Sequence, residues 1–188
     1  MLAALAPRPG AAQPASTEPS PALLAALRAG GHVLYFRHAD TDHRQTDARP
    51  LAFEDCATQR NLTDRGRANS RAIGEAFRAL GIPIGPVLAS PLCRTVETAM
   101  LAFGVAERAL AVRDAGPEPA GSPARFAALR ALLETAPPSA TNTAIVGHGY
   151  PFYALVGEAA VVRPRAGGFD VITRVGVAQW RALADASR

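Results

Sequence analysis

The sequence predicts a three-layer α/β/α sandwich with a mostly parallel central sheet. Short apolar runs of the length of buried strands alternate along the chain with segments in which apolar residues recur at helical spacing. This alternation is typical of a parallel sheet that is covered by helices on both faces. The chain has 188 residues, which is about the length of one domain.

Five apolar runs are predicted as strands, and polar residues follow two of them directly. The runs are 33–36, 87–89, 110–113, 143–146 and 169–177, of which 110–113 has the weakest pattern. Arg37 and His38 follow the first run, and His148 follows the fourth after a single glycine. Because ligands of open α/β sheets bind outside the carboxyl ends of the strands, we expect these side chains to project over one edge.

The predicted helices begin at capping residues, and several end at glycine. They cover 22–29, 64–80, 91–103, 123–133, a short segment 151–156, and the chain from 179 onward; Ser90-Pro91 and Ser122-Pro123 are predicted caps. Arg94 lies one turn into the third helix. Since helical side chains lean toward the N-terminus, Arg94 should reach back to the same sheet edge. Residues 40–61 are predicted as a long polar loop over that edge.

The first twenty residues are rich in alanine, proline and serine and lack an amphipathic period. They are predicted to be a disordered leader or the remnant of an export signal, followed by a single domain over 21–188. The apolar start, 1–6, is too short for a secretory signal core. The protein is therefore either cytoplasmic, or exported with this chain starting inside or after its signal, and no apolar run is long enough for a membrane span.

The charge pattern favours a small anionic substrate over a nucleic acid. The formal net charge is +4, and all 20 basic residues are arginines. They are scattered, whereas a nucleic-acid surface needs a basic stripe. No spacing of His, Cys, Asp and Glu typical of a zinc site is present, so we expect neither a metal nor another cofactor.

Two histidines and two arginines at one sheet edge suit the transfer of a phosphoryl group. The planar guanidinium matches phosphate oxygens and stays charged at any working pH. A neutral imidazole is a competent nucleophile when its second ring nitrogen is held by a hydrogen bond, which a backbone carbonyl near Ala39 can accept. Arginines can supply the charge neutralisation that metal ions supply elsewhere.

At these positions the chain resembles the histidine phosphatase superfamily, which is phosphoglycerate mutase-like in fold. The similar segments, in order, are FRHADT, NLTDRGRANSRAIGEAFRALGI, VLASPLCRTVETA and IVGHG. The resemblance implies that His38 is phosphorylated, that Arg37, Arg94 and His148 bind the phosphoryl group, and that water then releases phosphate. It also implies supporting roles for Thr41, Ser90 and Gly149, and either loss of a phosphate contact at position 44 or its replacement by Arg44.

The residue that protonates the leaving group is left open by the sequence. Asp114 and Glu118 are the candidates in the loop where mutase-like relatives place a glutamate, and Asp40, Asp42 and Asp55 are further candidates. The sequence thus favours a phosphomonoester or phosphoramidate hydrolase acting on a small phosphorylated substrate or a phosphoprotein. A phosphosugar mutase and a phosphate-binding module without turnover are the alternatives.

The two cysteines, Cys56 and Cys93, are predicted either to form a disulfide or to be two free thiols. Cys56 lies in the long loop, and Cys93 precedes Arg94 at the start of the helix that the loop is expected to cross. A disulfide would anchor the loop and would persist in an oxidising compartment, which favours a periplasmic or secreted protein.

Overall fold

The computed structural model describes residues 20–113, 123–149, 160–173 and 175–186. Residues 1–19 of the predicted leader and the predicted short helix at 151–156 lie outside the described residues. None of the helices within the described ranges is long and apolar enough to cross a membrane.

A six-stranded sheet forms the centre of the fold. Its strands are β1 (Val33–Arg37), β2 (Ile84–Ala89), β3 (Glu107–Arg108), β4 (Asn142–Gly147), β5 (Ala160–Arg165) and β6 (Gly168–Thr173). They lie in the order β3-β2-β4-β1-β5-β6. The first four in this order are parallel, and β5 and β6 add an antiparallel hairpin at one side. The mostly parallel α/β fold agrees with the prediction.

Helices cover both faces of the sheet, as the three-layer prediction requires. The helices are α1 (Pro21–Ala29), α2 (Asp64–Ala79), α3 (Cys93–Phe103), α4 (Ala127–Glu134) and α5 (Val177–Ala186). Leu27 of α1, Phe77 of α2 and Trp180 of α5 pack in one apolar cluster against Leu34 of β1. On the opposite face, α4 packs against β1, β4 and β5 through a second cluster that contains Leu129.

Two predicted strands were wrong in detail. The run 110–113 is a 3-10 helix at Leu110–Val112, and the adjacent edge strand is the two-residue β3. The predicted strand at 169–177 is the shorter β6, and α5 already begins at Val177; β5, which pairs with β6 in a hairpin, was not predicted. The hairpin turns at Gly167, whose φ of 72° lies in the left-handed region that glycine adopts without strain.

The predicted cap at Ser90 was also wrong. Helix α3 begins at Cys93, its N-cap residue is Leu92, and no side chain of the cap residue bonds to the helix. Instead, the carboxamide oxygen of Gln59 accepts the N–H of Cys93 at 2.9 Å, so the long loop caps the helix from a distance. Ser90 is left free for another role in the site.

Candidate active site

The carboxyl ends of β1 and β4 bring His38 and His148 together. The two strands are parallel, with Arg37 opposite Gly147, and the N–H of His38 donates to the carbonyl of Gly147 at 2.9 Å. The imidazole rings lie 5.6 Å apart between centroids, at an interplanar angle of 66°. The strand-end rule therefore places both histidines at one edge, as the sequence indicates.

His38 presents one ring nitrogen to the site and uses the other to fix its orientation. Its Nδ1 lies 2.8 Å from the carbonyl oxygen of Ala39. A carbonyl oxygen only accepts hydrogen bonds, so Nδ1 carries the proton and Nε2 carries the lone pair. The N–H of Ala39 in turn donates to the hydroxyl of Thr98 on α3 at 3.1 Å, which ties this turn to the helix.

His148 is fixed by Ser90 at its ring and by Tyr35 at its backbone. Its Nε2 lies 2.8 Å from the hydroxyl oxygen of Ser90. This hydroxyl therefore binds the imidazole of His148 and does not cap α3. The hydroxyl of Tyr35 donates to the carbonyl of His148 and accepts its N–H, both at 3.1 Å. A Cβ at Gly147 would overlap this hydroxyl, so the residue before His148 has to be glycine.

Both histidines are neutral at physiological pH because they are buried near positive charge. Burial lowers the pKa of His38 to about 4, with smaller contributions from His148, Arg94 and Arg37. Burial lowers the pKa of His148 to about 3, and Arg94 adds to this effect. His38 therefore keeps the free lone pair on Nε2 that a nucleophile requires.

Arg94 is buried and paired with a carboxylate that the sequence analysis missed. Its side chain is 4% exposed, and Nη1 donates to the two carboxylate oxygens of Asp47 at 2.9 and 3.1 Å. The Nε atom is buried and has no acceptor among the described residues. The guanidinium therefore keeps one donor, the N–H of Nε, without a partner among the described residues.

Two further arginines surround the histidine pair. Arg37, at the end of β1, is exposed and close enough to lower the pKa of both histidines. Arg60, in the long loop, also lowers the pKa of His148, and its buried Nε has no acceptor among the described residues. The sequence analysis did not single out Arg60, since only the folded loop brings it to this edge.

The supporting residues divide between the site edge and solvent. Thr41 is buried and forms an isolated β-bridge with Leu62. Gly149 follows His148 directly. At position 44 the sequence left open whether a phosphate contact is lost or replaced by Arg44. The side chain of Arg44 is 90% exposed and binds Asp42, which favours the loss of that contact.

Of the five proton-donor candidates, Asp40, Asp42 and Asp55 lie within the described residues. Asp114 and Glu118 lie outside the described residues. The other three carboxylates are engaged elsewhere: Asp40 with Arg65, Asp42 with Arg44, and Asp55 with the N–H of Ala57.

A disulfide joins the long loop to the first turn of α3. Cys56 and Cys93 are bonded, with their Cα atoms 5.7 Å apart. Buried Gln59 reinforces this link, because it accepts the N–H of Cys93 and donates to the carbonyl of Ala52 at 2.7 Å. The loop that carries Asp47 is thus fixed to the helix that carries Arg94.

The site edge contains no evident metal centre within the described ranges, where no group of three or more His, Cys, Asp or Glu side chains is placed to hold an ion.

The family model of the histidine phosphatase superfamily, branch 1, matches residues 33–116. Over this segment, the chain is similar to that superfamily. The match includes His38 and Arg94, whereas His148 lies beyond it, directly after β4. Comparison with curated protein sequences finds no match.

Solved structures of this superfamily's fold align over most of the chain. A phosphoserine phosphatase of Entamoeba histolytica, in complex with phosphoserine, is 11% identical and covers 79% of this chain and 98% of its own, with a TM-score of 0.52. YhfR of Bacillus stearothermophilus is 13% identical and covers 78% and 98%, with a TM-score of 0.52. The protein histidine phosphatase SixA, complexed with tungstate, is 23% identical and covers 74% and 92%, with a TM-score of 0.47. The first two show that the fold is phosphoglycerate mutase-like.

Proposed function

We propose that the protein is a phosphatase that hydrolyses a phosphomonoester or phosphoramidate through a phosphohistidine intermediate on His38. The observation that carries this proposal is the orientation of His38. Its Nδ1 is bound to the carbonyl of Ala39, so the lone pair of Nε2 is free beside His148 and Arg94. The superfamily match over residues 33–116 supports the same chemistry.

In the first step, Nε2 of His38 attacks phosphorus, and the bond from phosphorus to the leaving group breaks. Arg94, with its free Nε, and Arg37 neutralise the charge on the phosphoryl oxygens. His148, held by Ser90, donates a hydrogen bond to the same oxygens. The leaving group takes a proton, for which Asp114 and Glu118 remain the candidate donors.

In the second step, water attacks phosphorus and the bond from phosphorus to Nε2 breaks. His38 regains its neutral ring, and inorganic phosphate leaves. Because the arginines supply the positive charge, we propose that neither step requires a metal ion. The substrate class proposed is a small phosphorylated compound or a phosphoprotein.

The disulfide also bears on where the enzyme works. A bond between Cys56 and Cys93 persists in oxidising compartments such as the periplasm or the extracellular space and is reduced in most cytoplasms. We therefore propose a periplasmic or secreted enzyme, with a cytoplasmic location as the alternative.

A screen of phosphorylated compounds, including p-nitrophenyl phosphate, tests the proposed activity. The wild type and His43→Ala, which alters an exposed loop histidine, are expected to release phosphate at equal rates. His38→Ala is expected to be inactive, because it lacks the nucleophile. If the wild type binds phosphate but turns over none of the compounds, the protein is a binding module; transfer of the phosphoryl group within a phosphosugar would instead identify a mutase.

A further inference from the structure

The two edges of the Arg94 guanidinium have different surroundings. Nη1 is occupied by both carboxylate oxygens of Asp47, at 2.9 and 3.1 Å. Nε, which shares the opposite edge with Nη2, is buried and has no acceptor among the described residues. A guanidinium binds phosphate most strongly through two parallel donors on one edge. The pairing with Asp47 leaves the Nε–Nη2 edge for such a ligand.

We propose that Asp47 is a positioning residue that turns the Nε–Nη2 edge of Arg94 toward the histidine pair. This proposal rests on the proposed phosphoryl site but not on turnover at that site. The hydroxyl of Thr98 accepts the N–H of Ala39 at 3.1 Å and donates to the carbonyl of Arg94 at 2.7 Å, so the first turn of α3 lies beside the turn that holds His38. The charge of Arg94 also lowers the pKa of both His38 and His148.

Asp47 is itself anchored independently of Arg94. Its Oδ1 accepts the backbone N–H of Arg60 at 2.9 Å, and its side chain is 31% exposed. The surrounding loop is fixed to α3 by the disulfide and by Gln59. A fixed acceptor is what a positioning residue needs, because a mobile one would follow the arginine and would not orient it.

The electrostatics distinguish this role from two others. Although burial alone would raise it, the pKa of Asp47 is lowered by the N–H of Arg60 and the guanidinium of Arg94, so the carboxylate is ionised at neutral pH and suited to hold an arginine. A carboxylate that merely lay beside an anion site would repel phosphate, and its removal would tighten phosphate binding. A positioning carboxylate has the opposite effect, since its removal releases Arg94.

Binding of inorganic phosphate, measured by titration calorimetry on the full oxidised chain, tests the proposal. Asp47→Ala is expected to weaken phosphate binding by about 10- to 100-fold, because Arg94 would no longer be held in the orientation that binds phosphate. Asp47→Asn keeps an oxygen acceptor and should retain more affinity than Asp47→Ala. Glu54→Ala is the matched control, because Glu54 is an exposed carboxylate of the same loop that pairs with Arg108; it should bind phosphate like the wild type.

The Arg94→Ala protein shows whether Asp47 acts on phosphate binding through Arg94. If Asp47 acts through Arg94, then Asp47→Ala in the Arg94→Ala protein causes no further loss of affinity. Phosphate binding by Asp47→Ala as tight as that of the wild type, or a further loss in the Arg94→Ala background, would overturn the proposal. Thermal unfolding and a thiol count confirm that each variant is folded with its disulfide intact. A wild type that binds phosphate without hydrolysing esters would refute the proposed function and leave this inference standing.

The same variants exclude a proton-donor role for Asp47. The loss of kcat/KM in Asp47→Ala should be the same for p-nitrophenyl phosphate and for an alkyl phosphate, because Arg94 acts on the phosphoryl oxygens. A donor protonates the leaving group, so its loss would harm the alkyl phosphate more. A larger loss with the alkyl phosphate would therefore replace the positioning role with an acid role.

Discussion

Acidification should destabilise the folded protein through the two site histidines. Burial lowers the pKa of His38 to about 4 and that of His148 to about 3, from 6.5. Between these values and 6.5, the unfolded chain binds more protons than the folded protein does. The free energy of unfolding therefore falls as the pH drops below 6.5, down to about 4 for His38 and about 3 for His148.

The magnitude follows from these pKa values. At pH 4.5, the unfolded form of each histidine is almost fully protonated, whereas the folded form is mostly neutral. Linkage then gives a loss of roughly 2.5 kcal/mol per histidine relative to pH 7.5, or about 5 kcal/mol for the pair. This is a large fraction of the roughly 5–15 kcal/mol by which single domains are stable.

Urea unfolding of wild type and His148→Asn at pH 7.5 and pH 4.5 measures this effect. The variant should lose about 2–3 kcal/mol less than the wild type between the two pH values, because one buried titrating ring is absent. His43→Asn is the control, since this side chain is exposed in the folded protein, and its loss should equal that of the wild type. Equal pH dependence in wild type and His148→Asn would refute the burial argument.

Three further perturbations follow from the site. Replacing both Cys56 and Cys93 by serine should lower the free energy of unfolding by about 3–4 kcal/mol in urea titrations, because the disulfide spans 37 residues; an unchanged midpoint would contradict this. Arg37→Ala and Arg94→Ala should each reduce kcat by about 10²–10³, whereas Arg71→Ala, on the exposed face of α2, should not; few-fold losses would remove either arginine from the site. Phosphatase activity should persist in excess chelator, and its loss would show that a metal takes part.

The sequence was sufficient for the features that depend on strand ends and spacing. Arg37, His38 and His148 follow apolar runs directly, and the rule for parallel sheets places them at one edge. The carbonyl that holds His38 belongs to the next residue, Ala39, so it was also within reach of local reasoning. Arg94 was predictable because the start of α3 follows a strand by only a few residues.

The sequence could not predict those site contacts that depend on the conformation of a loop or on residues far apart in the chain. Asp47 and Arg60 are two polar residues among many in the loop 40–61, and only the folded loop brings Asp47 to Arg94 and Arg60 to Asp47. The Ser90-Pro91 pair has the composition of a helix cap, but the hydroxyl binds His148 while Gln59 caps α3. Strand β5 was missed because its run carries two arginines and a proline.

Detection of phosphorylated His38 tests the proposed phosphohistidine intermediate. The wild type is mixed with p-nitrophenyl phosphate, quenched in alkali within the first turnovers, digested, and analysed by mass spectrometry under conditions that preserve phosphohistidine. A phosphoryl group is expected on the peptide that contains His38, and none is expected in His38→Ala. Phosphate release by the wild type without any phosphorylated His38, or with phosphorylation at His148 alone, would contradict it.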